Sequence, residues 1–217
     1  MNPTHRSIAS LLFAAVCLAP AAALAQSLDQ IRPWQPGDRF GHAYVLNGKS
    51  MPATEEVIEA TADRVRTRQQ IGGRTYEAAY GTDDMARLEG ICVANSEACR
   101  FEPGETWVKL PLEKGAEWSH RMVVTGEQYV SEVAQQRKVE ALTYVETPAG
   151  QFTAWRVSMR GEIEARRRDD SQPPVKGTER ATYWWSTVKG KLVLVRQQYE
   201  NSFGARSSRE LFSLDLR

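Results

Sequence analysis

The chain is short of the side chains that most often do chemistry. Its 217 residues contain three cysteines and three histidines, and Cys17 and His5 fall in the first two dozen positions. The rest of the chain therefore holds only Cys92, Cys99, His42 and His120, too few and too scattered for a zinc site. No Gly-rich phosphate loop, dinucleotide-binding glycine fingerprint, His-Glu-x-x-His pair or Gly-x-Ser-x-Gly elbow occurs. Net charge is also nearly absent: 28 basic and 27 acidic residues leave +1. Nothing in that balance calls for nucleic acid or an anionic membrane surface as a partner. Asp83-Asp84 follows Gly81-Thr82 in a turn, without the ligand spacing of a calcium loop. No internal repeat is visible. Beyond residue 25 no apolar run reaches the ~20 residues of a membrane-crossing helix.

The one long apolar run is N-terminal. His5 and Arg6 precede Ile8–Leu18, and Ala23-Leu24-Ala25 is a small-x-small cleavage site. Residues 1–25 therefore read as a secretory signal peptide, broken by Pro20 and too short to span a membrane. Cys17 is preceded by Val16, which a lipoprotein signal does not favour. The expected address is the periplasm, with the mature chain beginning near Gln26. Residues 26–38 form an N-terminal strap carrying Trp34 between Pro33 and Pro36, and residues 39–217 form a single domain.

What the sequence has in abundance is strand and turn chemistry. Turn signals recur every ~8–12 residues, the pattern of an all-β protein. Asn47-Gly48, Gly72-Gly73 and Val188-Lys189-Gly190 are turns between alternating runs. The clearest hairpin runs from Val139 to Met159 around Pro148-Ala149-Gly150. Its second strand alternates Phe152, Ala154, Arg156 and Ser158 against Thr153, Trp155, Val157 and Met159, and the latter face is expected to meet the core. Arg64–Ile71 with Arg74–Tyr80, and Thr178–Ser186 with Lys191–Glu200, read as further hairpins. Met85–Val93, Glu105–Leu110, Trp118–Val124 and Arg209–Leu216 add strands. Periodicity also permits helices over Glu55–Gln70 and Val130–Val145. The expectation is a mainly antiparallel protein of about ten strands, a strongly curved sheet or partly open barrel.

The phrase E-T-P-A-G-Q-F-T-A-W-R-V resembles the V-P-A-G-T-F-x-A-x-R-V hairpin of bacterial DUF3108-like proteins. Leu110–Trp118, L-P-L-E-K-G-A-E-W, is similar to their P-L-x-x-G-x-x-W segment. Tyr183-Trp184-Trp185-Ser186 followed by Lys191–Arg196 resembles their Y-W-Y-S-P…V-x-x-V pair, with Thr187 where the family has Pro. The resemblance covers residues 107–217 and not Gln26–Glu105. It implies a secreted or periplasmic curved half-barrel, similar to the periplasmic carriers of lipoproteins.

Three functional readings follow. The first is a non-enzymatic periplasmic protein that binds an apolar or amphipathic ligand on the concave face, lined by Trp118, Tyr144, Trp155, Tyr183 and Trp185, with no cofactor and no metal. The second is an envelope-assembly protein that docks a partner through a sheet edge or the charged Arg166–Pro174 loop. The third is a hydrolase using His42 or His120, although no nucleophile motif accompanies them. In an oxidising compartment Cys92 and Cys99, seven apart, are expected to bond to each other. Mass spectrometry of the unreduced exported protein is expected to show the loss of two protons. Two thiols that alkylate in the native protein would overturn the pairing.

Overall fold

A computed structural model describes residues 28–82, 84–91 and 98–217. Every regular element among them is a strand. These are β1 (Arg39–Leu46), β2 (Lys49–Ala60), β3 (Arg64–Ile71), β4 (Arg74–Gly81), β5 (Arg87–Ile91) and β6 (Ala98–Glu105), followed by β7 (Glu117–Thr125), β8 (Tyr129–Thr147), β9 (Gly150–Arg167), β10 (Val175–Val188), β11 (Lys191–Asn201) and β12 (Arg206–Asp215). Each pairs antiparallel with its chain neighbours, and β12 returns to pair with β1. The all-β expectation therefore holds, with twelve strands in place of about ten and a closed barrel in place of a partly open one.

Local chemistry explains the hairpins. Asn47 and Gly48 take φ of 48° and 81°, Gly72 and Gly73 take 56° and 83°, and Lys189 and Gly190 take 52° and 79°. Positive φ at both turn residues is the twist-matched two-residue hairpin connection. The helical alternatives both resolve as strand. Val130–Val145 lies within β8, and Glu55–Gln70 divides between β2 and β3. β2 is the strand that the reading of the sequence lacks. Its Glu55, Glu56 and Glu59 suggest a helix face, yet Glu55 turns inward and is buried. The expected strand Glu105–Leu110 is likewise corrected: β6 runs up to Glu105 and the chain then leaves the sheet. Pro103 and Gly104 lie where β6 skips register against β5, after its ladder with β7 has ended at Glu102. A proline without an N–H fits such a lapse.

Alternation sorts the faces. Along β9, Trp155, Val157, Met159 and Ile163 are buried, whereas Arg156, Arg160, Glu162 and Glu164 are exposed. The outside is laced with cross-strand ion pairs such as Arg39–Glu56, Arg66–Glu77 and Lys138–Glu117. A charged exterior around an interior with a large apolar core is the reverse of a lipid-facing barrel.

One end of the barrel is filled. Phe40, Trp34, Tyr80, Trp107, Trp185 and Tyr183 form a continuous series of ring contacts with centroids 4.7 to 6.4 Å apart. Trp34 comes from the segment before β1, which also bridges Leu28 to Leu112 and Arg32 to Lys191. Its Nε1 donates to the Leu192 carbonyl at 2.8 Å. Asp38, fully buried, accepts from Lys191 Nζ at 2.9 and 2.7 Å, and from the Gln35 and Arg217 backbone N–H groups. The start of β1, the start of β11 and the C-terminus are thus held on one carboxylate.

The β8–β9 hairpin leaves the barrel wall beyond the Trp155–Trp185 pair, where its ladder with β10 ends. Its tip lies against β11 and β12: Ala149 N–H donates to Leu211 O, and Arg196 donates to Glu146 O at 2.8 Å.

Asp38→Asn is expected to destabilise the fold by about 3–5 kcal/mol, because it leaves the Lys191 charge buried without its counter-ion. Arg39→Ala, which removes an exposed pair, is expected to cost less than about 1 kcal/mol. Urea unfolding measures both, and equal midpoints would overturn the assignment.

Candidate functional site

The other end of the barrel is open. A cavity of about 600 Å³ enters between the β7–β8 turn, the β9–β10 loop and the β11–β12 turn, bordered there by Gly126, Gln172, Pro173 and Phe203. That volume lies within the usual range of small-molecule sites. One wall is apolar. Phe101, Met122, Val133 and Ile163 cluster with Val124 and Ala165 across β6 to β9, and Cys99 belongs to the same cluster. Cys92, its expected disulfide partner, lies outside the described residues.

The floor is polar and continuous. Glu105 accepts from Arg87 Nη2 through Oε2 at 2.5 Å and from Arg137 Nη2 through Oε1 at 2.7 Å. Arg137 Nη2 also donates to Gln135 Oε1 at 2.8 Å, and Gln135 Nε2 donates to Glu179 Oε1 at 2.7 Å. Tyr199 Oη donates to Glu179 Oε2 at 3.0 Å. Five strands thus contribute one chain of hydrogen bonds between the aromatic core and the cavity, to which Trp107 and Tyr183 of that core also reach.

Each charge there has a physical price or compensation. Burial alone would raise the Glu105 carboxyl, but the Arg87 and Arg137 guanidiniums outweigh it and bring it down to about 2. Glu179 moves the other way: burial raises it, and the nearby Glu105 charge adds to that against the hydrogen bonds from Gln135 and Tyr199. Arg87 also stacks over Phe101 at 4.1 Å and Arg137 over Tyr183 at 5.1 Å.

Of the five aromatic residues expected to line a site, Tyr183 borders the cavity. Trp118, Trp155 and Trp185 are buried instead in the packed core below the floor. Tyr144 is 74% exposed. It sits opposite Thr153 on the hairpin tip, whose other side, with Val145 and Ala154, is buried. The tip's departure from the wall turns Tyr144 away from the lumen. The residues that the sequence reading missed are Gln135 and Arg137. They stand in phase with Val133 and Val139 on β8, and that inward phase is the signal that could have found them.

Neither histidine borders the cavity. His42 is buried, with Nε2 3.2 Å from the Leu194 carbonyl. Desolvation, then the charge of Arg209, push it down to about 4, so the neutral ring donates that hydrogen bond. His120 is lowered by burial and by Arg137. Among the described residues neither imidazole hydrogen-bonds a carboxylate, which the hydrolase reading needs.

Because the folded state holds His42 below its ordinary value of 6.5, folding releases a proton there. Its contribution is present above pH 6.5 and lost as pH falls towards about 4. The loss is expected to be roughly 3 kcal/mol. His42→Gln is expected to remove that part of the pH dependence of the urea midpoint, and an unchanged slope in the mutant would overturn it.

No family model matches the chain, and no curated protein matches it. Among solved structures the barrel is similar to a candidate lipoprotein from Parabacteroides distasonis, with a TM-score of 0.51 and 13% identity over 88% of this chain and 100% of that one. A candidate exported protein with a YmcC-like fold, from Bacteroides fragilis, aligns with a TM-score of 0.45 and 12% identity over 86% and 99% of the two chains. The first likeness extends over nearly the whole described barrel and concerns its fold.

Proposed function

We propose that this chain is a non-enzymatic exported protein that carries an apolar or amphipathic ligand inside its barrel, in the periplasm, after removal of residues 1–25. The observation that supports this most is the cavity itself: an apolar wall over a polar floor, open at one end only. The mouth adds to it. Tyr129, Val175 and Phe203 are exposed large apolar side chains, and all three border the opening. Exposed apolar groups gathered at a rim favour the entry of an apolar molecule. The resemblance of residues 107–217 to DUF3108-like proteins and the proposed Cys92–Cys99 bond accord with the same compartment. The envelope-assembly reading meets this one at the Arg166–Pro174 loop, since Gln172 and Pro173 border the mouth. A partner docking on that loop would contact the route by which a ligand leaves.

Ala165→Trp places a large side chain in the cavity without touching the floor. It is expected to weaken binding of the neutral fluorescent probe N-phenyl-1-naphthylamine by about ten-fold or more, with the folded circular dichroism spectrum retained. Undiminished probe binding by a folded variant, or no binding by the parent protein, would overturn the proposal.

A further inference from the structure

We propose that the ligand is a single-chain anionic amphiphile, its acidic head held by a row of hydrogen-bond donors on β10, β11 and β12 and its tail laid on the apolar wall of β6 to β9. This rests on the reading of the cavity as a binding site. Tyr183 stands opposite Gln197, and Gln197 stands opposite Arg209, so the three side chains share one face across three adjacent strands. All three border the cavity. Tyr183 and Gln197 are 3% and 8% exposed. Among the described residues, none of the three hydrogen-bonds another protein side chain or joins an ion pair; Tyr183 lies under the Arg137 guanidinium, and Arg209 lies over the Tyr44 ring and within electrostatic reach of His42. Buried polar groups are normally paired. A phenol, a carboxamide and a guanidinium turned together into a cavity supply donors for one acceptor-rich group.

The charges select its sign. Three arginines border the cavity. Arg87 is paired with Glu105 and Arg167 with Asp169, which leaves Arg209 with the Tyr44 ring, 5.2 Å away. Both bordering carboxylates are engaged, Glu105 by two arginines and Glu179 by Gln135 and Tyr199. A cationic head would find no carboxylate to spare, and a neutral head would leave Arg209 uncompensated. A carboxylate or phosphate monoester matches the guanidinium fork. Phe101, Met122, Val133 and Ile163 take the chain attached to it.

Isothermal titration calorimetry of the delipidated protein at neutral pH, with laurate, dodecyl phosphate, dodecanol and dodecylamine below their aggregation concentrations, tests this. Laurate or dodecyl phosphate is expected to bind at least about ten-fold more tightly than the alcohol and the amine, the stronger of the two identifying the head as carboxylate or phosphate. Arg209→Gln is expected to bring the acids to within about three-fold of dodecanol, whereas Arg209→Lys keeps a preference for the acids. Equal affinities for acid and alcohol in the parent protein, or a preference that survives Arg209→Gln, would overturn the anionic head and leave the carrier reading standing. Failure of all four amphiphiles to bind would overturn both.

Discussion

A single buried carboxylate ties the barrel shut. Asp38 receives the Lys191 ammonium and two backbone N–H groups, one of them from the last residue of the chain. Removing so much charge from water is unfavourable unless geometry and additional hydrogen bonds compensate it. Here they do, and the arrangement fixes three distant segments at once. Trp34, four residues before Asp38, can then enter the aromatic core and bond to Leu192. The closed end, the packing above it and the pairing of β1 with β12 all depend on that convergence.

The barrel is consequently two environments stacked along one axis. Below, tilted and stacked rings pack closely and exclude water. Above, an apolar wall faces open space. The hydrogen-bonded series from Arg87 to Tyr199 lies between them, and it includes the paired charges of Arg87, Glu105 and Arg137, which an ordinary core rejects. Such a network would be costly as a mere filler of the lumen. As the base of a site it does what apolar residues could not, holding Tyr183 at the boundary and engaging both acids before any ligand arrives. Tyr183 belongs to both environments, with its ring stacked on Trp185 and its edge at the cavity.

The local parts of this fold were legible in the sequence because local rules dictate them. Gly72-Gly73 and Asn47-Gly48 admit few alternatives to a tight hairpin, and the alternation around Trp155 identified its buried face. What could not be read was non-local. β2 was obscured because a run of glutamates satisfies a helix as readily as a strand, and Glu55 is buried only because Thr67, Gln69 and Tyr80 from neighbouring strands all donate to it. Closure depends on pairs such as His42 with Leu211, to which no short window is sensitive. Of the aromatic residues expected at a site, only Tyr183 borders the cavity. Burial on an inward face does not distinguish the filled half of a lumen from the empty half. The polar residues of β8 look outward-facing until their phase is counted from Val133.

The bond from the Arg217 backbone to Asp38 has a consequence in time. The two partners lie far apart among the described residues, and the seam they secure joins β1 to β12. Hairpins such as β3–β4 and β10–β11 need only their own residues and can assemble as these appear. The seam cannot, since contacts so distant in sequence carry the largest loop-closure cost. A chain emerging from its N-terminus therefore holds Asp38 without its lysine until β11 begins, and β1 with one edge unpaired until β12 is made. The order of synthesis places the closing of the ring after the pairings among β1 to β11.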